Sequence, residues 1–407
     1  MNVLLLTTYP HGGAGGACNR LQGALIESGH DAAMLTADQL GFKWPFYAER
    51  LSFLPYERDK SVRFSFSLAN FGHNLANHPL VRAADILYLH WINQGLLSLQ
   101  NIRQLAQTGK PLVWTLHDMW AFTGGCHYSG ACKNYETDCG SCPMLRWSHP
   151  GDLSHRVWKR KKNILPSDIQ FITCSEWLAG IARQSSLLSA YPIVAIPNAI
   201  DTSVFKPIKE ADRKHFRQAL TISDHALVLL FAAMKVSEPR KGFSYLLEAL
   251  KIFKNNHPST PVELLVIGKS DPVELAALPY PFHSLGLIRD MSRLVEIYGS
   301  ADAFVIPSLE DNLPNTVMEA LACGTPVIGF VTGGFPEMAG HLQEGFIAPQ
   351  RDAAALAEGI SRLASDPEFL SRLRVAARKK AEIQYSNPVV AARHLDIYRQ
   401  LIRRHTS

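Results

Sequence analysis

The sequence predicts an α/β protein built from two doubly wound, Rossmann-like domains facing across a cleft, and three observations carry that expectation. Apolar runs of strand length alternate with longer amphipathic runs of helix length, the pattern of parallel βαβ units. The alternation runs twice, broken once by a polar segment from Lys209 to Ser223. At 407 residues the chain is also long enough for two domains of ordinary size, each with its own core.

The first strand is read at Val3 to Thr8 and the first helix at Ala17 to Ser28, with a second strand around Met34-Leu35-Thr36. Ile86 to Leu89 and Leu112 to Leu116 read as strands, with a helix from Leu97 to Gln107 between them. Phe171 to Cys174 precedes a helix from about Glu176 to Arg183, and Ile193 to Ile196 follows. Pro197-Asn198-Ala199-Ile200-Asp201 then breaks the pattern, so the linker is placed near residues 198 to 210. The second half restarts with Leu227 to Phe231, a helix near Ser244 to Asn255, and Glu263 to Gly268. Ala303 to Ile306, a helix near Pro314 to Cys323, and Val327 to Val331 complete it. In such sheets ligands bind beyond the carboxyl ends of the strands, which makes the cleft the expected site.

With 47% hydrophobic and 19% charged residues and no biased tract, the composition is that of a folded protein and excludes fibrous or disordered classes. Met1 to Thr8 lacks a basic leader and its apolar run is short, so it reads as a strand and not as a targeting segment. No stretch approaches the roughly 18 to 20 apolar residues a membrane span requires. Seven cysteines, an odd number in a long chain, fit a reducing cytoplasm better than a disulfide scaffold. The net charge of +5 is modest, but Arg156-Val157-Trp158-Lys159-Arg160-Lys161-Lys162 gathers cations near Trp147 and Trp158, a patch suited to anionic lipid or phosphate or to plain solvation.

Gly12-Gly13-Ala14-Gly15-Gly16-Ala17 is read as a turn between strand and helix, where bare amides approach an anion or polyol closely. A dinucleotide fingerprint needs a third glycine where Cys18 stands, so a dehydrogenase ranks last. The stretch from Ser308 to Val327 is the most informative: Asp311 or Asn312 is expected to cap a helix, Pro314 to occupy its first turn and Gly324 to end it. Glu319 lies too deep to be a cap, and a carboxylate there suits a ribose diol; Asp311 at the loop tip suits a sugar hydroxyl.

This stretch resembles the acidic motif of retaining glycosyltransferases of the GT-B type, family 4, in which two glutamates stand seven residues apart. Glu319 matches the second, while Asp311 takes the first position with Glu310 before it. By the same resemblance, Glu238-Pro239-Arg240-Lys241-Gly242 is the basic loop that holds the donor diphosphate, with Arg240 standing in for an upstream arginine that is replaced by Met234-Lys235. Pro197 to Asp201 is similar to the family's interdomain segment and includes Asn198; Gly333-Gly334-Phe335-Pro336-Glu337 is similar to the loop around the donor sugar. Thr115-Leu116-His117-Asp118 resembles the His-Asp pair whose histidine meets that sugar.

The resemblance implies domains at 1–203 (acceptor, with a cysteine loop at 119–145) and 204–387 (donor), and a terminal helix at 388–407 returning to the first. It implies catalytic roles for His117, Arg240, Lys241, Asp311 and Glu319. Donor contacts fall to Gly13, Gly16, Asn198, Glu310, Asn312, Leu313, Pro314, Asn315, Thr316, Gly333 and Gly334. The expected reaction moves a sugar with retention from a nucleotide-diphosphate sugar to a saccharide or polyprenyl-linked acceptor. It needs no cofactor, since the metal-binding Asp-x-Asp is absent from the chain. The expected setting is bacterial exopolysaccharide, capsule or O-antigen synthesis in the cytoplasm, in peripheral contact with an anionic membrane and without nucleic acid. An epimerase of the same fold, or a silent nucleotide-sugar-binding subunit, are the competing readings. Cys126, Cys132, Cys139 and Cys142, in a loop that also resembles a box of one bacterial branch, are read first as a structural zinc site, then as free thiols, then as disulfides.

Overall fold

The computed structural model describes residues 1–41 and 43–406 and divides into two compact units, Met1–Ala199 with Asn387–Ser407, and Ile200–Ser386. In the first unit the elements run β1 (Asn2–Thr7), α1 (Gly12–Glu27), β2 (Asp31–Thr36), α2 (Trp44–Phe53), α3 (Pro79–Ala83), β3 (Ile86–Leu89), α4 (Leu99–Ala106), β4 (Leu112–Leu116), α5 (Leu153–Ile164), β5 (Gln170–Thr173), α6 (Glu176–Gln184) and β6 (Ile193–Ala195). The six strands form one parallel sheet in the order β2-β1-β3-β4-β5-β6.

Alternate strand residues feed two cores, as a sheet covered on both faces requires. Leu4, Leu6, Leu87, Leu89, Trp114, Leu116 and Phe171 pack on one face with Ile102 and Leu105 of α4 and Leu178 and Ala182 of α6. Val3, Leu5, Tyr88, Val113 and Ile172 pack on the other with Leu21, Ala24 and Leu25 of α1. Helix starts follow local chemistry: Ser98 and Asn101 form a reciprocal cap on α4, and Asp152 accepts the amides of Ser154 and His155 at α5.

The second unit runs α7 (Glu210–Ala219), β7 (Leu227–Lys235), α8 (Phe243–Asn256), β8 (Val262–Lys269), α9 (Pro272–Ala276), β9 (Phe282–Gly286), α10 (Met291–Ser300), β10 (Ala303–Ile306), α11 (Asn315–Ala322), β11 (Val327–Phe330), α12 (Phe335–Met338), β12 (Gly345–Ala348), α13 (Ala353–Ser365) and α14 (Pro367–Gln384). Its parallel sheet has the order β12-β11-β10-β7-β8-β9. Leu229, Phe231, Leu264, Val266, Val305 and Phe330 pack on one face with α8 and α13. A polar tie secures the unit elsewhere: the buried Asp302 carboxylate binds Arg213 (2.5 Å) and Arg217 (2.8 Å) of α7 and Arg374 (3.1 Å) of α14. The last helix, α15 (Asn387–Thr406), lies with the first unit, where Val390, Ala391, Leu395 and Tyr398 join the core under α1.

Two differences from the sequence reading concern helix starts. The glycine run is not a turn: α1 begins at Gly12, so Gly13, Gly15 and Gly16 lie in its first turns. The second concerns α11, whose N-cap is Pro314 with no side-chain cap bond. The Asp311 carboxylate is taken by Lys241, and the Asn312 carbonyl accepts Gly334 N.

Candidate functional site

In the second unit, β11, β10 and β7 are neighbours, so the loops at their C-terminal ends meet, as the topology of a doubly wound sheet dictates. The loop after β7 carries Glu238 to Gly242, the loop after β10 carries Ser308 to Pro314, and the loop after β11 carries Val331 to Gly334. Backbone bonds stitch them: Leu309 N donates to Arg240 O (2.8 Å), and Gly334 N donates to Asn312 O (2.7 Å). Two glycines allow the close approach. Gly242 has φ +70° and a Cβ there would lie 1.9 Å from Pro307 O; Gly333 has φ +54° and a Cβ would lie 1.6 Å from Asp311 O.

That stitching brings the predicted basic and acidic residues together. Lys241 Nζ donates to Asp311 Oδ2 at 2.7 Å, and Arg240 Nη1 lies 3.7 Å from the same oxygen. Arg240 also donates to Glu310 O (2.8 Å) and to Glu238 Oε1 (3.0 Å), so its guanidinium is held in place. Asp311, not Glu310, is the carboxylate on the cations; Glu310 contributes its carbonyl. Asn312, Leu313 and Pro314 are buried, Asn315 and Thr316 are half-buried at the start of α11, and Gly333 and Gly334 close the rim.

Glu319 is placed differently. It is buried on α11, and its Oε2 accepts the Tyr298 hydroxyl of α10 at 2.9 Å. Tyr298, fully buried, is a partner that no motif signalled; only folding brings α10 beside α11.

In the first unit, the half-buried His117 follows β4, with Nε2 3.0 Å from His90 Nδ1 and Nδ1 3.5 Å from Cys174 Sγ. The Cys174 thiol in turn donates to Asn198 Oδ1 (3.2 Å). Burial pushes the His117 imidazole down to about 4, opposed by the Asp118 carboxylate, so the ring is neutral near pH 7. His117 is therefore a neutral hydrogen-bonding group and not a cation. Gly13 is exposed and Gly16 half-buried on α1.

Asp118 faces the other way. Its Oδ2 accepts Trp91 Nε1 (2.9 Å) and meets His127 Nδ1 (2.7 Å), its Oδ1 accepts Trp120 N (2.8 Å), and His127 Nε2 reaches Ser67 Oγ (2.9 Å). Burial alone would raise this carboxyl, but His127 and the donors from Trp120 and Trp91 hold it below the ordinary carboxylate range. The order Ser67, His127, Asp118 imitates a hydrolase triad, yet Ser67 and His127 are buried, so the array is a brace under the cysteine loop.

The four cysteines of the loop lie near enough to feel one another's charge, Cys126 with Cys132 and Cys139, and Cys142 with Cys126, Cys132 and Cys139. Among the described residues no three His, Cys, Asp or Glu side chains are gathered to hold a metal ion. The thiols are taken up by packing: Cys142 lies with Phe53, Phe66 and Leu145, and Cys139 lies in the main core and accepts Gly124 N at 3.0 Å. Cys126 packs against the Cys142 cluster and Cys132 is half-buried; all seven cysteines are free thiols. Asp152 accepts Cys142 N (2.8 Å), and Lys161 Nζ reaches the carbonyls of Trp120 and Thr123.

Lys161 also corrects the basic run. It is buried, with its ammonium 3.6 Å from the Trp120 ring centroid, and burial pushes it down to about 7 against the pull of nearby thiols and Asp118. Trp158 is buried and bonded to Ser186, and Arg160 turns to Leu68 and Asn70, leaving Arg156, Lys159 and Lys162 exposed. The run is half structural because α5 must cover the cysteine loop.

Comparison with known proteins adds the following. Residues 11–204 match the family model described as Glycosyltransferase Family 4, and residues 212–380 match Glycosyl transferases group 1. Over 61% of its length the chain is 25% identical to the putative colanic acid biosynthesis glycosyl transferase WcaC of Escherichia coli (strain K12), covering 59% of that protein. Over 58% it is 28% identical to the N,N'-diacetylbacillosaminyl-diphospho-undecaprenol alpha-1,3-N-acetylgalactosaminyltransferase of Campylobacter jejuni, covering 61% of it. The chain thus spans about three fifths of the length of these two curated relatives. The fold matches Anabaena Alr3699/HepE, solved in complex with UDP and glucose, at TM-score 0.62 and 16% identity over 98% of this chain and 99% of that one.

Proposed function

We propose that this chain, which belongs to the glycosyltransferases of GT-B architecture, transfers a sugar with retention from a nucleotide-diphosphate sugar to a saccharide or lipid-linked saccharide. The carrying observation is the meeting of Lys241, Arg240 and Asp311 at the carboxyl ends of β7 and β10. Two adjacent cations near the N-terminus of α11 suit a diphosphate, whose charge grows as the glycosidic bond breaks. Asp311 is then the carboxylate for a sugar hydroxyl, and its pairing with Lys241 exchanges for donor contacts on binding. Gly333 and Gly334, tied to the same loop, leave room for the hexose.

In this reading Glu319 takes the ribose, with Tyr298 fixing its rotamer, and His117, neutral and held by His90, contacts the sugar. The leaving phosphate helps remove the acceptor proton on the same face, so orientation and charge stabilisation supply most of the rate. The basic pair fills the place that an Asp-x-Asp-bound metal takes elsewhere. A uridine nucleotide is the first donor to test, since the structural relative holds UDP. The acceptor is drawn from the chemistry of the relatives, a surface polysaccharide or an undecaprenol-linked saccharide, with the enzyme working at the inner face of the membrane.

A panel of nucleotide-diphosphate sugars tests this. One member should raise the melting midpoint and support transfer to an added acceptor, and proton NMR of the product should show the donor's anomeric configuration. An inverted product would overturn retention. A panel in which no nucleotide shifts the midpoint would overturn the donor site itself.

A further inference from the structure

We infer that the solvent face of α2, together with Trp147, docks the protein on an anionic membrane surface. The pattern of this helix is inverted. Trp44, Tyr47, Leu51 and Leu54, spaced by three, four and three residues, form one stripe, and all are exposed, at 55%, 59%, 65% and 44%. The opposite side, Pro45, Glu49 and Phe53, is buried. A soluble helix puts its apolar stripe inward, so the arrangement calls for an apolar partner.

The helix cannot rotate to hide the stripe. Glu49 is a fixed anchor: its carboxylate accepts the amides of Leu68 (2.8 Å), Ala69 (2.6 Å), Asn70 (2.9 Å) and Phe71 (3.3 Å). Turning α2 over would strip four backbone donors of their acceptor and expose Phe53.

The apolar face continues beyond the helix. Glu57 bridges to Leu145, Arg58 N donates to Met144 O and Arg146 N to Tyr56 O, which sets the exposed Trp147 edge-on to Tyr56 at 6.1 Å. Phe64, 60% exposed, follows Arg63, and Arg63 and Arg50 both bind the buried Glu57.

The charge around this face selects the partner. Lys43, Arg58, Lys60 and Arg146 are exposed, whereas Glu49 and Glu57 are buried and bonded; of the exposed acids Asp38 and Asp59, the latter is paired with Arg58. Tryptophan and tyrosine suit the headgroup level, leucine the acyl boundary and the cations an anionic leaflet. The exposed cations Lys43, Lys60 and Arg146 would meet like charges if the same face of a second copy were set against it, whereas an anionic leaflet pairs with all of them, which favours a bilayer over a second copy. The inference does not depend on the transfer reading, because lipid binding is measured without donor or acceptor.

The test is co-sedimentation of the full chain with vesicles of phosphatidylcholine alone and of equal parts phosphatidylcholine and phosphatidylglycerol. Wild type should partition onto the mixed vesicles. Tyr47→Asp with Leu51→Asp should lower the partition constant by at least about tenfold at an unchanged melting midpoint, since both side chains are exposed. Lys60→Glu with Arg146→Glu should lower it by roughly fivefold or more per site and abolish the preference for mixed vesicles. Absence of binding to mixed vesicles, or undiminished binding by the aspartate pair, overturns the inference. So does a wild-type dimer in analytical ultracentrifugation that the aspartate pair dissociates, because the face would then belong to a second copy.

Discussion

Lys241→Ala is the sharpest probe of the proposed donor site. Its ammonium is mostly shielded, 20% exposed, and sits 2.7 Å from the Asp311 carboxylate, which is 14% exposed. Arg240 remains after the change, because Glu238 and Glu310 O hold it independently. On the proposed reading one of two cations for a developing diphosphate is therefore removed, and loss of one such donor costs about 3 to 4 kcal/mol in the transition state. The expected fall in kcat/KM is about 100- to 1000-fold, with nucleoside diphosphate affinity reduced at least about tenfold. Asp311→Asn is the control: it breaks the same ion pair but leaves both cations, so diphosphate affinity should stay within about threefold while transfer falls. Fluorescence titration with the nucleoside diphosphate and steady-state transfer, at matched melting midpoints, give both numbers. A folded Lys241→Ala that binds diphosphate as tightly as wild type would refute the reasoning, for Lys241 would then only tether a loop.

Three further outcomes follow from the packing. Asp302→Asn leaves Arg213, Arg217 and Arg374 without their counter-charge and should cost about 3 to 5 kcal/mol of the second unit's stability in urea titration. Burial would raise the Asp302 carboxyl, but Arg217, Arg213 and Arg374 hold it below the ordinary carboxylate range. Its contribution is then complete above that range and lost as pH falls through the depressed value, so the wild type's acid loss of melting temperature should be shallower in Asp302→Asn. Gly333→Ala forces a Cβ into Asp311 O from a left-handed backbone and should lower kcat/KM by at least about tenfold through displacement of the acid loop. Glu49→Gln turns an amide donor toward the amides of Leu68 to Phe71 and should destabilise the first unit by about 2 kcal/mol, read by thermal melting.

Both sheets were legible because buried parallel strands are continuous apolar runs: Val3 to Leu6, Ile86 to Leu89 and Val327 to Phe330 are buried along their lengths. The edge strands β9 and β12 escaped notice, for Phe282 to Gly286 is short and partly exposed and Gly345 to Ala348 is only four residues. Within the site, Arg240, Lys241 and Asp311 declared themselves by motif, but the geometry that joins them depends on strand order, which puts residue 241 beside residue 311. Capping logic misread Asp311 for the same reason: a local carboxylate can cap a helix, and a distant lysine outbid it. Tyr298, His90 and His127 gave no local signal, since each gains meaning only from a partner on another element. The cysteine spacing suggested a metal; folding brings the four thiols near one another and also packs Cys142 with Phe53 and Phe66 and Cys139 in the core that includes Tyr135, a setting that spacing alone does not reveal. And α2 was not singled out as a helix at all, although Trp44, Tyr47, Leu51 and Leu54 recur at helical spacing; what the sequence could not show is that this stripe points outward.

The position of α15 has a consequence for biosynthesis. Its Tyr398 and His394 close the core against Tyr88, and Arg393 caps Ala195 O, yet the second unit intervenes in the chain. On a ribosome that roughly 190-residue stretch takes on the order of 10 to 40 seconds to make. Throughout that interval the first unit lacks its closing helix and leaves the apolar side of α1 uncovered, whereas the second unit has every element it needs as the interval ends. The nascent chain should thus complete its second half before its first, and a chaperone that shields Leu21 and Leu25 would meet its client in that window.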